Sequence, residues 1–360
     1  MNMKKNVIAL GIAGSMCLPA MANAMQVVGE ELEIYMKAHL SLDFDDPDNP
    51  AVGSQMSVSS NSSRIGFKGK HQFENGLTGV WQIESKVVFD ESGAEFATRN
   101  SFAGIQDGFG TIIAGYADTP FKELGGDYTL FGDTVADRRA ILGSGVGYSN
   151  AFNDRATNMI EYLNKFGPTN VKIMYSASSP NDDLPSAPGI DNNDNALASL
   201  SVDYKAGGLA LGLAYESQDN ATNANPAQKV DGTRIGAMYD FGGFSLGAIY
   251  EMMNSDDVAP LDHDSWGING SVKLGSDMKL QAQVLVADSY TDSTDTGATM
   301  TSIGLTKKVD KNLSTYVIYT QTDNQDNANY QGVEDGHGDE LKTVNGGKPS
   351  AFSLGFVLSI

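Results

Sequence analysis

From Leu32 to Phe44 the chain alternates without a break. Leu32, Ile34, Met36, Ala38, Leu40, Leu42 and Phe44 are apolar, and Glu33, Tyr35, Lys37, His39, Ser41 and Asp43 fill the positions between them. A period of two sends successive side chains to opposite faces of an extended chain, so this segment predicts a strand with one apolar and one wet face. It is longer than the ~5–6 residues usual in globular sheets and suits a tilted crossing of a hydrocarbon layer. The same alternation predicts strands over 31–44, 54–73, 77–89, 98–106, 110–117, 157–165, 170–178, 197–206, 209–217, 231–240, 244–253, 264–274, 279–289, 299–308, 313–322 and 350–360, sixteen in all.

The connections alternate as well. Short ones carry turn residues, among them Asn75-Gly76, Asp107-Gly108, Gly167-Pro168, Gly207-Gly208, Gly242-Gly243, Gly275-Ser276-Asp277 and Asp310-Lys311-Asn312. Between them come polar stretches, the largest at 118–156, 179–196 and 323–349. Short turns on one side and long loops on the other predict an all-β fold, an antiparallel meander closed into a transmembrane β-barrel. Phe352, Leu354, Phe356, Leu358 and Ile360 alternate up to the last residue. That strand must pair with the first if neither edge is to present open backbone groups to lipid. A soluble sandwich or propeller is the competing fold. Long regular strands, loop length sorted by side and the lack of a ~40–50-residue repeat count against it.

Composition changes this picture little. No stretch after residue 24 approaches the ~18 apolar residues of a spanning helix, and a mean hydropathy of −0.25 is what alternation produces. The 40 Gly, 14 Tyr and 15 Phe favour strands and turns. The first residues add direction. Lys4 and Lys5, an apolar run from Val7 to Leu18 and Ala22-Asn23-Ala24 form the pattern of a secretory signal peptide, 1–24, ahead of a single barrel domain at 25–360. Cys17 falls in the leader, so no disulfide framework is expected in the mature chain. The destination is therefore beyond the inner membrane, and for a strand barrel the expected place is the outer membrane. A net charge of −21 argues against nucleic-acid binding.

Particular residues go further. Asn61-Ser62-Ser63-Arg64-Ile65-Gly66-Phe67-Lys68-Gly69, then Asn75-Gly76-Leu77 and Trp81-Gln82-Ile83-Glu84, resemble the second and third strands of trimeric general diffusion porins of Gram-negative bacteria. Arg99-Asn100-Ser101-Phe102-Ala103-Gly104, Phe109-Gly110-Thr111, Asp118-Thr119-Pro120 and Glu123-Leu124-Gly125-Gly126-Asp127 resemble the next hairpin and the start of the loop that narrows such pores. The resemblance implies a sixteen-stranded barrel and a homotrimer. It implies a third external loop folded inward, and passive diffusion of small hydrophilic solutes and ions. On that map 118–156 is the constriction loop. Its acidic residues Asp118, Glu123, Asp127, Asp133 and Asp137 face basic wall residues Lys37, Arg64 and Arg99, with Lys68 and Lys86 also on inward faces. Opposed charge rows in a narrow lumen order water and set ion preference.

Four positions depart from the family pattern. Ile113 and Tyr116 stand where relatives carry arginines, Glu161 stands at a wall position that is often basic, and the chain ends in Ile360 where the family usually has Phe. Fewer wall cations and an acidic loop predict a modest cation preference, softened by Arg138, Arg139 and Arg155. A substrate-specific channel, of the oligosaccharide type, is the alternative, with Tyr35, Tyr116, Tyr128 and Phe131 as candidate stacking surfaces. A barrel enzyme or adhesin is a weaker one. The four histidines, His39, His71, His263 and His337, build no known catalytic motif. His263, between Asp262 and Asp264, reads as a solvated loop residue. Neither 323–327 nor 334–340 has EF-hand spacing, and Gly143 to Gly147 opens no phosphate-binding helix. No catalytic residue, metal or cofactor is expected. Loose divalent bridging of acidic loops to lipopolysaccharide phosphates is the one lipid contact that composition suggests.

Overall fold

The computed structural model describes residues 25–28, 32–92, 96–143, 151–177, 196–219, 229–255, 262–333 and 337–360. The leader, the stretch 178–195 and residues 334–336 lie outside these. A short strand β1 (Met25–Val28) pairs with the foot of β2 (Leu32–Asp46). Next come β3 (Gln55–Ser60), β4 (Arg64–Gln72), β5 (Thr78–Lys86), β6 (Ser101–Asp107) and β7 (Gly110–Asp118). Helix α1 (Pro120–Asp127) follows, then β8 (Arg155–Phe166), β9 (Thr169–Ser176), β10 (Leu197–Ala206), β11 (Leu209–Gln218) and β12 (Val230–Asp240). The chain finishes with β13 (Phe244–Ser255), β14 (His263–Leu274), β15 (Met278–Ala287), β16 (Ala298–Lys308), β17 (Leu313–Asn324) and β18 (Ser350–Ser359).

Successive strands pair antiparallel, save that β3 and β4 both pair β2, and β18 pairs β2 from Ser350↔Asp46 to Ser359↔Lys37, so the sheet closes on itself. Ile360 adds two more backbone bonds to Met36, each of 2.9 Å. The barrel has sixteen staves, because β3 and β4 are two parts of one spanning strand and β1 is a short addition. The predicted strand over 54–73 is broken at Asn61–Ser63, where Ser62 takes φ +50°. The break is satisfied locally: Asn61 N donates to His39 O at 2.8 Å, and His39 N donates to Ser63 Oγ at 2.9 Å. A bulge of this kind turns three side chains inward that regular alternation would have split.

The alternation is everted relative to a soluble protein. Along β10, Leu197, Ser199, Ser201 and Asp203 are covered while Ala198, Leu200, Val202 and Tyr204 are exposed. Leu211, Leu213, Ile235, Ile268, Ile303, Val317 and Leu354 continue that exposed apolar belt. Such a surface is stable only against hydrocarbon. Exposed aromatics rim it near the short turns, with Phe241 stacked on Phe244 at 4.4 Å and Tyr239 beside them. Trp266, Tyr250 and Tyr319 mark the opposite rim. Rings with a polar edge sit well at the lipid–water boundary.

Candidate functional site

The segment after β7 runs into the lumen. Thr119 caps α1, accepting from Lys122 N at 3.2 Å, and Pro120 opens its first turn. The helix and the chain beyond it are pressed against the inner wall of β10–β17. Phe121, Leu124, Phe131, Val135, Ile141, Leu142 and Phe152 form one buried cluster with Ile249, Met253, Leu285, Met300 and Ile318 of the wall. Tyr128 lies over Gly212 and Gly236: a Cβ on Gly236 would sit 2.2 Å from the Tyr128 ring. Gln283 accepts from Leu130 N at 2.7 Å, and Asn269 donates to Tyr128 O at 2.8 Å.

One wall ion pair holds both ends of the loop. Arg234 and Glu251 are fully buried, with Arg234 Nε 2.6 Å from the carboxylate. Arg234 also donates to Phe121 O at 2.8 Å and lies 4.0 Å over the Phe121 ring, while Glu251 accepts from Gly143 N at 2.7 Å. Sequence reasoning did not single out this pair. The available signal was the apolar residues Ile249, Met253, Met300 and Ile318 at inward positions, which break the wet face where a loop must cover it.

The predicted charges meet, though not always across the lumen. Asp133 reaches Lys37 on β2 at 2.8 Å and Arg139 at 3.0 Å. Asp118 pairs with Lys122 at 2.9 Å and Arg155 at 3.3 Å. Among the described residues Asp137 meets no wall cation; it binds Arg139 of its own loop at 2.7 Å. Glu123 pairs with Lys172 and Asp127 with Lys205 at 2.9 Å, two wall lysines that the pattern did not distinguish from other wet-face residues. Arg64 and Arg99 turn to Glu84, at 3.5 and 2.6 Å, which in turn accepts from Tyr35 OH. Lys68 pairs with Glu33 at 2.9 Å and lies 5.3 Å over the Tyr35 ring. Lys86 is exposed on the same inward face as Glu84. Glu161 is buried beside Lys172 and Glu123, and Ile113 joins an apolar patch with Val80, Met159 and Met174.

These environments shift the loop's ionisations. Burial alone would raise Asp133, but Lys37 and Arg139 hold it well below the usual carboxylate range. Asp137 is likewise lowered against its burial, by Arg139. Burial pushes Glu123 up, with Lys172 opposing. Burial also pulls Lys122 down to about 8, against the attraction of Asp118.

Two expectations are corrected. Tyr128 and Phe131 are packed into the wall and offer no stacking surface, leaving Tyr35 and Tyr116 half-buried on the open side. His263 is not a solvated loop residue: it opens β14, is buried, and meets Tyr290 edge-on at 4.9 Å. A further feature was not legible. Residues 325–333 and 337–349, expected to be an external loop, also turn inward. Ala328, Tyr330, Val333 and Leu341 are buried in the same cluster as the first loop, and His337 contacts Asp43 on the inner face of β2 at 2.9 Å.

A closed barrel with an exposed apolar belt, and a charged loop folded inside it, has a counterpart among known proteins. A profile described as Gram-negative porin matches residues 8–327. The chain belongs to that family. It is thus a porin of the outer membrane. Among curated relatives, major outer membrane protein P.IB of Neisseria gonorrhoeae is 32% identical over 123 residues, and that of Neisseria lactamica 30% identical over 123. These alignments take in 34% of this porin and 34% and 36% of the two relatives, so the chain spans about a third of the curated relatives it matches. Solved structures align over nearly the whole barrel. An anion-selective porin from Comamonas acidovorans gives a TM-score of 0.74 at 18% identity, covering 91% of this chain and 99% of that one. The in-vitro folded, trimer form of OmpT from Vibrio cholerae gives 0.69 at 18%, covering 91% and 99%. OmpF of Salmonella typhi in complex with daunomycin gives 0.69 at 16%, covering 94% and 100%. At these identities the likeness concerns the fold.

Proposed function

We propose that this porin is a passive diffusion channel for small hydrophilic solutes and ions, and that the loop 119–143 is its constriction. The observation that carries this reading is the loop itself, held inside the barrel by apolar packing on one side and ion-paired across to Lys37 on the other. A fixed, charged shelf in an aqueous lumen sorts solutes by size and charge without chemistry. A homotrimer is the assembly we infer, in keeping with the trimer form of OmpT. We further infer that 1–24 is removed on export and that acidic loops engage lipopolysaccharide through divalent ions. The oligosaccharide-specific alternative loses support with the burial of Tyr128 and Phe131.

Ion preference depends on which charges the solute meets where the lumen is narrow. The expected cation preference rests on fewer wall cations and an acidic loop, and the chain's net charge of −21 also favours cation approach. At the shelf the balance differs. Lys37, Arg64, Arg99, Lys122, Arg139 and Arg155 outnumber Glu84, Asp118, Asp133 and Asp137, with which they pair. Fields are strongest in a narrow passage with low-dielectric walls, so the surplus there outweighs the distant acidic surface. The second reading, a weak anion preference, is the one this cluster favours. Planar-bilayer recording of the refolded protein across a salt gradient decides it. An anion-signed reversal potential that moves toward cations in Arg64→Gln is the expected result. A cation-signed potential restores the acidic-loop reading, and absence of conductance from folded protein sinks the channel.

A further inference from the structure

The segment between β17 and β18 is built as more than a surface loop. It pairs with itself, Gly332 N donating to Leu341 O and Leu341 N to Val333 O, each at 3.2 Å, and it is roped to the strand end through Asn324, which donates to Tyr330 O at 3.0 Å and Gly347 O at 2.9 Å. Its apolar members lie in the cluster that also holds the constriction loop. Its polar end crosses to the inner wall of β2 and β3. There Gly338 N donates to Asn61 Oδ1 at 2.9 Å, and Ser59 Oγ donates to the Asp339 carboxylate at 2.5 Å.

His337 is the centre of this contact. Its side chain and that of Asp43 are both completely buried. Its Nε2 bonds Asp43 at 2.9 Å, and its Nδ1 lies 3.0 Å from Asp339 O, to which the imidazolium donates, and 3.1 Å from Asp339 N, from which the neutral ring accepts. Asp43 is further held by Ser353 Oγ of β18 at 2.5 Å and Ser41 Oγ at 2.7 Å, and Ser41 receives Asn61 Nδ2 at 2.7 Å. The ionisable groups that face His337 are Asp43, Asp45 and His39 from β2 and Asp339 from its own segment. β3 and β18 contribute neutral hydroxyls and the Asn61 amide. Three carboxyl groups thus gather where one imidazolium can balance them. Without that charge, covered carboxylates lose their counter-ion while still out of water, which is costly.

We propose that this segment is a second narrowing, at the long-loop mouth of the channel, and that the His337–Asp43 pair is the positioning clasp that holds it inside. The clasp is proton-dependent. Burial would pull His337 down, but the hydrogen bond and charge of Asp43 raise it above the ordinary histidine value. For a base raised by folding, the stabilisation is full below the ordinary value and is lost as pH rises through the raised one. The mouth therefore opens toward alkaline pH. This inference rests on the channel reading, and its failure looks different.

The test is unit conductance in planar bilayers at about pH 5 and about pH 9, which bracket the ordinary histidine value. The wild-type protein is expected to conduct more at the higher pH. His337→Gln and Asp43→Asn should conduct at the higher level at both, having lost the clasp without losing the barrel. Ser59→Cys with Asp339→Cys, oxidised, should hold the lower level at both until a reductant is added. A wild-type pH ratio retained by His337→Gln, or unaffected by the cross-link, overturns the proposal while leaving the porin intact. No wild-type conductance at either pH overturns the channel reading instead.

Discussion

The two halves of the inner wall obey different rules. From β2 to β8 the inward face carries Lys37, Arg64, Glu84 and Arg155, charged groups in direct ion pairs with one another, with the loop or with Asp118, beside a small apolar patch around Ile113 and Met159. From β11 to β17 the same geometric face carries Gly212, Gly236, Ile249, Met253, Leu285, Met300 and Ile318, and is a packed core. A β-barrel that large is hollow unless something fills it, and here two segments pack their apolar residues against one side and reach the other through polar contacts. The difference teaches that the pore is what remains after a globular core has been built inside half of a membrane barrel. The apolar packing of the shelf lies in the closed half, and its cross-lumen ion pairing to Lys37 in the open half.

That division can be broken, and the largest effect should come from the Arg234–Glu251 pair. Arg234→Leu leaves Glu251 buried and unpaired, which should cost about 3–5 kcal/mol in urea unfolding. It should also raise unit conductance, because both ends of the loop lose their anchor. An unchanged conductance would mean that apolar packing alone positions the shelf. Gly236→Ala is milder. Its new Cβ meets the Tyr128 ring at 2.2 Å, so something must shift, at about 1–3 kcal/mol. Conductance should change in the same sense but less, and the reversal potential should stay where it was.

Lys122→Met sharpens the comparison from the open side and should have the smallest effect. Lys122 is lowered to about 8, so its charge is present below that pH and lost as pH rises through it. Anion preference should therefore weaken on going through about 8 in the wild type, and the step should vanish in the variant. For stability the sign is opposite to that of His337. A lysine lowered by burial makes folding less favourable while it is charged in both states, and that cost is relieved between about 8 and the ordinary lysine value. A reversal potential that steps equally in the variant would assign the titration to another group.

Much of this barrel was legible from alternation. The predicted bounds of β10 and the start of β13 agree with the structure to the residue, and closure between Phe352–Ile360 and the first strand follows from open edges being intolerable in lipid. Part of the site was legible too: Asp133 does meet Lys37. Other parts were not. Lys172 and Lys205 look like any wet-face lysine until the register of β9 and β10 brings them under α1. Tyr128 reads as a channel aromatic until two glycines on β11 and β12 are seen to receive it. His337 reads as a loop residue, because its partner Asp43 lies at the far end of the chain.

The sequence by itself determined which residues form strands, which face of each meets lipid, and that the ends must join. Those properties depend on neighbours two residues apart and on the hydrogen-bond demands of a bilayer, both of which are local or universal. Only the tertiary structure decided where the loops go once inside, which acids pair with which bases, and that half of the lumen is a core. Such outcomes depend on contacts between residues brought together by closure, and closure fixes them through stagger and shape that no local pattern records.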